Sequence, residues 1–169
     1  CEHLQNRGHQ RIAFLPESPF WQTFTGTVSD RFLGYFNCLK LTANDTGLPL
    51  RWAQALQACT NPMQLHAYIQ AQGITGLIAE NDVVALRALQ QLQQIDHGIG
   101  TSLALVGFDN LPAAARNHPA LTTVVQDFGM IGAKAVEALL DQINNPKHRF
   151  DRQVVVSVKL MVRESTNTH

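Results

Sequence analysis

The sequence has few cysteines and no excess charge of either sign, and each shortage excludes a class of protein. Its three cysteines, Cys1, Cys38 and Cys59, form neither a disulfide framework nor a Cys-x-x-Cys metal site. Lysine and arginine number 13, as do aspartate and glutamate, so the formal net charge is zero. A nucleic-acid-binding surface usually shows as a basic excess or stripe, and neither is visible here. We therefore expect a reducing, cytoplasmic compartment and no contact with DNA from these residues alone.

Long apolar runs and catalytic motifs are missing as well. No stretch approaches the roughly 18–20 apolar residues of a membrane span, and no signal-peptide pattern precedes the first predicted strand. The chain contains no Gly-x-Ser-x-Gly elbow and no Gly-x-x-x-x-Gly-Lys-Ser/Thr loop. No two of its seven histidines have the i, i+4 spacing of helical metal sites. We expect no membrane contact, no metal or other cofactor, and no enzyme activity.

The chain does contain a regular alternation of short apolar runs and amphipathic helices. Strands are predicted over residues 11–15, 76–79, 103–106, 121–126 and 154–161, and helices over 28–41, 52–58, 63–72, 83–95 and 129–143. Strands that alternate with helices of about 10–15 residues indicate an α/β fold with a mostly parallel sheet flanked by helices. The runs Gly76–Ala79 and Leu103–Val106 are apolar on both faces, so we expect them to be adjacent, central and parallel. Asp82 is expected to cap the helix that follows it.

The most informative segment is 103–128, which reads LALVGFDNLPAAARNHPALTTVVQDF. It resembles the effector-binding domain of bacterial LacI/GalR-type transcription regulators, in which a Val-Gly-Phe/Tyr-Asp-Asp turn precedes a Pro-x-Leu-Thr-Thr-Val strand and a Gln-Asp pair. Four further stretches match family patterns: Gly8-His9-Gln10-Arg11-Ile12, Arg31-Phe32-Leu33-Gly34-Tyr35, Glu80-Asn81-Asp82 and Val162-Arg163-Glu164-Ser165-Thr166. The chain is therefore similar to this family over most of its length.

The resemblance implies a periplasmic-binding-protein-like fold of two subdomains. Residues of about 1–110 and 151–166 would form most of the second subdomain, and about 119–145 a strand and a helix of the first. The rest of the first subdomain and the DNA-binding domain would lie outside this chain, which we expect to be the carboxyl-terminal part of a longer regulator. The implied function is sensing a small sugar-like effector within a repressor.

A sugar site needs polar partners for hydroxyl groups and an apolar wall for the C–H face. Arg31 offers fixed donors, Asp109 acceptors and Asn81 both, and all three fall near carboxyl ends of predicted strands, where ligands of open α/β sheets bind. Phe128 and Trp52 are further candidates for the wall. The alternatives are a surface role for Arg31, a helix cap for Asn81, and core positions for Phe128 and Trp52.

The family resemblance also implies a homodimer. The candidate interface lies on the helix 83–95 and the loop 113–119, and it comprises Val83, Leu86, Arg87, Gln90 and Asn117. That helix carries more apolar residues than one buried face needs, so we expect part of it to stay exposed in a monomer. Operator DNA would be contacted only through the amino-terminal domain outside this chain. A solute-binding protein of a sugar transport system is the alternative function, with an enzyme third.

Overall fold

The computed structural model describes residues 1–39, 47–95, 98–145 and 153–167. Within these ranges the helices are α1 (Glu2–Asn6), α2 (Thr27–Cys38), α3 (Leu48–Ala58), α4 (Pro62–Gln72), α5 (Asp82–Gln93), α6 (Pro112–Arg116) and α7 (Phe128–Asn144). The strands are β1 (Ile12–Leu15), β2 (Gly76–Ala79), β3 (Ala104–Phe108), β4 (Thr122–Val125) and β5 (Lys159–Met161). Short 3-10 turns cover Phe20–Gln22 and Glu164–Thr166.

The five strands form one sheet in the order β1-β2-β3-β4-β5. The first three pairings are parallel, with Gly76 opposite Ala104 in the pairing of β2 with β3. Only β5 runs antiparallel, against β4. The predicted fold class is confirmed, as is the parallel pairing of the two central apolar runs.

The strands β1 and β3 are buried on both faces: their successive side chains point to opposite sides of the sheet, and each side is covered by a core. Ala13, Leu15 and Leu105 face a core formed with α3, α4 and α5. Ile12 and Phe14 face a second core, in which Phe14 packs against several aromatic rings: Phe20, Phe32 and Tyr35. The middle strands read as unbroken apolar runs for this reason.

The boundaries of several elements differ from the predictions. The cap of α5 is Asn81, whose side chain accepts the Val84 amide, and Asp82 is instead the first, buried helical residue. Helix α3 starts four residues before its predicted start at Trp52, since Pro49 fits the first turn of a helix. The strand predicted over 154–161 is reduced to β5, and residues 153–158 belong to no strand. Residues 40–41 and 151–152, which the predictions included, lie outside the described residues.

The segment 119–145 divides between two environments. Its strand, β4, belongs to the same sheet as β1–β3, whereas α7 buries none of its side chains. Its large exposed apolar side chains are Phe128, Met130, Ile131, Val136, Leu139, Leu140 and Ile143. The assignment of this segment to another subdomain stays a prediction. Over the described residues, no helix is both long and apolar enough to cross a lipid bilayer.

Replacing Gly107 by alanine is expected to destabilise the fold by roughly 1–3 kcal/mol, the usual range for overpacking a core. A Cβ at this position of β3 would collide with Asp82 Oδ1 and lie 3.0 Å from Leu121 Cδ2. Urea unfolding of the Gly107→Ala variant measures the loss. Gly132→Ala is the matched control, because no atom lies within 4 Å of its added Cβ, and it should not lower the free energy of unfolding. Equal stability of the two variants would contradict the close approach.

Candidate functional site

The candidate site lies at the carboxyl edge of the parallel strands. Asn81 follows the end of β2 by two residues, Asp109 follows β3 directly, and Arg31 lies on α2 beyond β1. The structure brings Arg31 and Asp109 together, with Arg31 Nη2 3.6 Å from Asp109 Oδ1. Polar side chains that are distant in sequence thus meet at the edge where ligands of such sheets bind.

Arg31 is held in place from two directions. Its Nη1 donates a hydrogen bond to the backbone carbonyl of Glu80, and its guanidinium lies 3.9 Å from the centre of the Phe108 ring. The side chain is 21% exposed. Because the carbonyl and the aromatic ring fix the guanidinium, its remaining donors face the site in a defined orientation.

Asp109 lies in an unusual turn and has two partners. Its φ is +109°, and that of Asn110 is +56°, a region uncommon for residues other than glycine. Gln126 Nε2 donates to Asp109 Oδ1 over 2.6 Å, so the same oxygen faces both Gln126 and Arg31. Gln126 was not among the predicted site residues. Its position directly after β4, at the same sheet edge as Asp109, was the available signal.

Asn81 serves as a helix cap beside the site. Its Oδ1 accepts the Val84 amide over 2.9 Å, and its Nδ2 donates to Glu80 Oε1 over 3.3 Å. Glu80 is itself buried and accepts the Glu17 amide. The alternative interpretation of Asn81 as an N-cap is therefore realised, and its amide is engaged within the chain.

A cleft of about 690 Å³ adjoins Arg31, a size typical of small-ligand sites. Its walls are largely apolar and include Phe108, Ile78, Val124 and Leu160. Of the three predicted polar residues, Arg31 lines the cleft, whereas Asn81 and Asp109 do not. The cleft can therefore present an apolar surface on one side and the Arg31 guanidinium on another.

The two aromatic candidates do not line this cleft. Trp52 is 5% exposed and packs in the core beside Leu56, with its Nε1 donating to Gln72 Oε1 over 3.2 Å. The structure therefore shows Trp52 in a core position, which was the alternative to a role in the site. Phe128 begins α7 and is 59% exposed, so it occupies neither the cleft nor the core of this chain.

A buried network behind the site was missed by the sequence predictions. The Asp82 side chain accepts hydrogen bonds from the Thr123 hydroxyl and the Leu111 amide. Burial raises the pKa of the Asp82 carboxyl above its usual value, while these two hydrogen bonds oppose the rise. Arg163 donates to Asn110 Oδ1 and to the Leu121 carbonyl, each over 2.7 Å. Both residues stood in quoted family motifs, but only the tertiary structure shows what they contact.

The candidate interface residues lie on one exposed side of α5, together with Asn117. Val83 is 50% exposed, Gln90 is exposed, and Arg87 pairs with Glu17 over 2.8 Å. Leu86 is half-buried against the core, and the Nδ2 of Asn117 is buried without a hydrogen-bond partner. Part of the apolar surface of α5 stays exposed at Val83, while several other apolar residues pack inside the chain: Val84, Ala85, Ala88 and Leu89.

Among the described residues, no three histidine, cysteine, aspartate or glutamate side chains cluster as metal ligands would. The site instead combines one guanidinium, one carboxylate and one amide with an apolar cleft. This chemistry suits a neutral molecule that carries several hydroxyl groups, since it supplies both donors and acceptors.

A mostly parallel sheet flanked by helices, with polar side chains gathered at its carboxyl edge, is the arrangement that small-ligand-binding α/β domains share. Residues 1–166 match the model of the periplasmic binding protein-like domain, and the chain belongs to this family.

Its relatives include transcriptional repressors. The chain is 27% identical over 168 residues to the HTH-type transcriptional repressor PurR of Aliivibrio salmonicida, covering 98% of this chain and 49% of that protein. It is 32% identical over 96 residues to the ribose operon repressor of Haemophilus influenzae, covering 57% of this chain and 29% of the repressor. The crystal structure of the transcription regulator GntR from Chromobacterium violaceum superimposes with a TM-score of 0.70 at 28% identity, covering 98% of this chain and 59% of that one. The resemblance to LacI/GalR-type regulators is confirmed, and the chain spans about half the length of the repressor PurR that it matches.

Replacing Asn81 by alanine is expected to lower the free energy of unfolding by about 1 kcal/mol, the usual cost of losing an N-cap. Asn81→Ser is the matched variant, because its hydroxyl can still accept the Val84 amide, and it should retain most of the stability. Urea unfolding compares the two. If both variants were as stable as the wild type, the cap would contribute nothing.

Proposed function

We propose that this chain is the effector-sensing and dimerising portion of a LacI/GalR-type transcriptional repressor that responds to a small sugar-like molecule. The observation that carries the proposal is the pairing of Arg31 with Asp109 beside a largely apolar cleft. The two relatives reported by sequence, PurR and the ribose operon repressor, are both named as repressors. This favours a regulator over the alternative, a solute-binding protein of a sugar transport system.

The proposed binding mode follows from the donors and acceptors of the site. Arg31 would donate to ring or hydroxyl oxygens of the effector, and Asp109 would accept from two of its hydroxyl groups. Tyr35 and Ile78, on the cleft wall, would contact its C–H face. Gln126 now holds the Asp109 carboxylate in position and would remain a neighbour of the bound sugar.

The proposal extends to assembly and to the cell. We infer a cytoplasmic homodimer without enzyme activity, in which residues outside this chain contact operator DNA. Two-fold symmetric regulators read two half-sites and need a contact between subunits away from the DNA. The exposed side of α5 with Asn117 is the proposed contact.

Replacing Asp109 by alanine is expected to weaken sugar binding by roughly 1–3 kcal/mol, because the effector hydroxyls and Arg31 lose a charged acceptor. Isothermal titration calorimetry of the full-length protein with D-ribose, D-galactose, lactose and cellobiose measures the affinity. Asp30→Ala is the control, since Asp30 is an exposed carboxylate on the same helix as Arg31 and should leave the affinity unchanged. If the Asp109 variant bound as tightly as the wild type, the site assignment would fail.

Replacing Val83 by aspartate is expected to convert the dimer to a monomer without unfolding it, because this residue is half-exposed in the single chain. A charge buried across a two-fold contact would face its own copy. Light scattering with circular dichroism checks both points. Leu86→Asp is a less clean test, because Leu86 also packs against the core. Leu33→Asp, at an exposed leucine of α2, is the control that should stay dimeric; a folded dimeric Val83 variant would place the interface elsewhere.

A further inference from the structure

We propose that Asp82 is the positioning residue of the effector site. Its buried carboxylate would hold the Asp109–Asn110 turn in the conformation that places the Asp109 carboxylate beside Arg31. The inference deepens the proposed function and rests on it, because it assumes that Asp109 binds the effector. Asp82 itself is fully buried and would touch no ligand.

The turn needs an external support. Asp109 and Asn110 are consecutive residues with positive φ, and neither is glycine. Such a conformation is unfavourable for these residues and persists only where the surroundings determine it. The Asp109 amide donates to the Val124 carbonyl, and Arg163 donates to the Asn110 side chain. The backbone amides of Asn110 and Leu111 need further acceptors.

Asp82 supplies that support on the far side of the turn. Its Oδ2 accepts the Leu111 amide over 2.7 Å, directly after the two positive-φ residues. Its Oδ1 accepts the hydroxyl of Thr123 over 2.5 Å. The same hydroxyl oxygen accepts the Asn110 amide over 3.3 Å. The carboxylate thus fixes Leu111 directly and Asn110 through Thr123.

The backbone of β3 makes room for this arrangement. Gly107 lies opposite the Asp82 carboxylate, and any Cβ there would collide with Oδ1. A buried carboxylate is costly in free energy unless hydrogen bonds compensate for its lost hydration. The two hydrogen bonds to Oδ1 and Oδ2 provide compensation, and both lead to the effector turn.

The test uses Thr123, because removing the buried carboxylate itself could prevent folding. Thr123→Val deletes the hydroxyl that links Asp82 to Asn110, and Thr123→Ser restores it. Ser165→Ala is the control: Ser165 is equally buried, and its hydroxyl bonds the Leu105 carbonyl and the Thr122 amide rather than the turn. All variants are made in the full-length protein.

The first readout is amide hydrogen exchange at Asn110 and Leu111, measured by NMR without ligand. We expect exchange to quicken about tenfold in Thr123→Val, as the loss of a buried hydrogen bond would allow, and to return to the wild-type rate in Thr123→Ser. Ser165→Ala should change these two rates by less than about twofold. Equal acceleration in Thr123→Val and Ser165→Ala, or none in Thr123→Val, would overturn the proposal.

The second readout is the affinity for a sugar, measured by calorimetry. The sugar used is the one in the panel that the wild type binds most tightly. Thr123→Val should weaken binding about tenfold, whereas Thr123→Ser and Ser165→Ala should bind like the wild type. Unchanged affinity in Thr123→Val would overturn the positioning role. A wild type that binds no sugar of the panel would contradict the proposed effector class, while hydrogen exchange would still decide whether Asp82 holds the turn.

Discussion

The carboxylate of Asp82 connects three parts of the fold. Asp82 lies in the first turn of α5, and its carboxylate accepts hydrogen bonds from the Leu111 amide, just after β3, and from the hydroxyl of Thr123 on β4. A carboxylate buried in an apolar interior is stable only when its oxygens are hydrogen-bonded. The glycine in β3, the threonine in β4 and the start of α5 are therefore constrained together, and the carboxyl edge of the sheet is built around them.

The candidate site is formed at this edge of the sheet. Parallel strands end at the same side of a sheet, so the residues after β1, β2, β3 and β4 converge although they are far apart in sequence. The convergence produces an ordered series of contacts: Arg31 stacks on Phe108, faces Asp109, and Asp109 accepts from Gln126. The polar groups are thus held before any ligand arrives, which reduces the entropy lost on binding.

Helix α7 shows the opposite situation. Its apolar side chains have the spacing of a helix that packs against a neighbouring element, yet none is buried within this chain. The strands β1–β4 pair within the sheet and α5 packs against it, but α7 has no apolar partner among the described residues. The sequence of α7 therefore predicts a helix, but it does not identify the surface that this helix would cover.

The sequence by itself determined the elements and the fold class, because periodicity, glycine and proline act locally. Gly73 ends α4 with φ at +59°, as a left-handed helix terminus requires, and the apolar runs of β2 and β3 predicted central parallel strands. It also placed Asp109 at a strand end, Arg31 on the helix after the first strand, and Asn81 as a possible helix cap. Only the tertiary structure decided which distant side chains meet: Trp52 lies in the core, and Gln126, Arg163 and Asp82 surround the Asp109–Asn110 turn. Side-chain partners more than ten residues apart depend on how the strands are ordered and how the helices pack, and no local pattern encodes that distance.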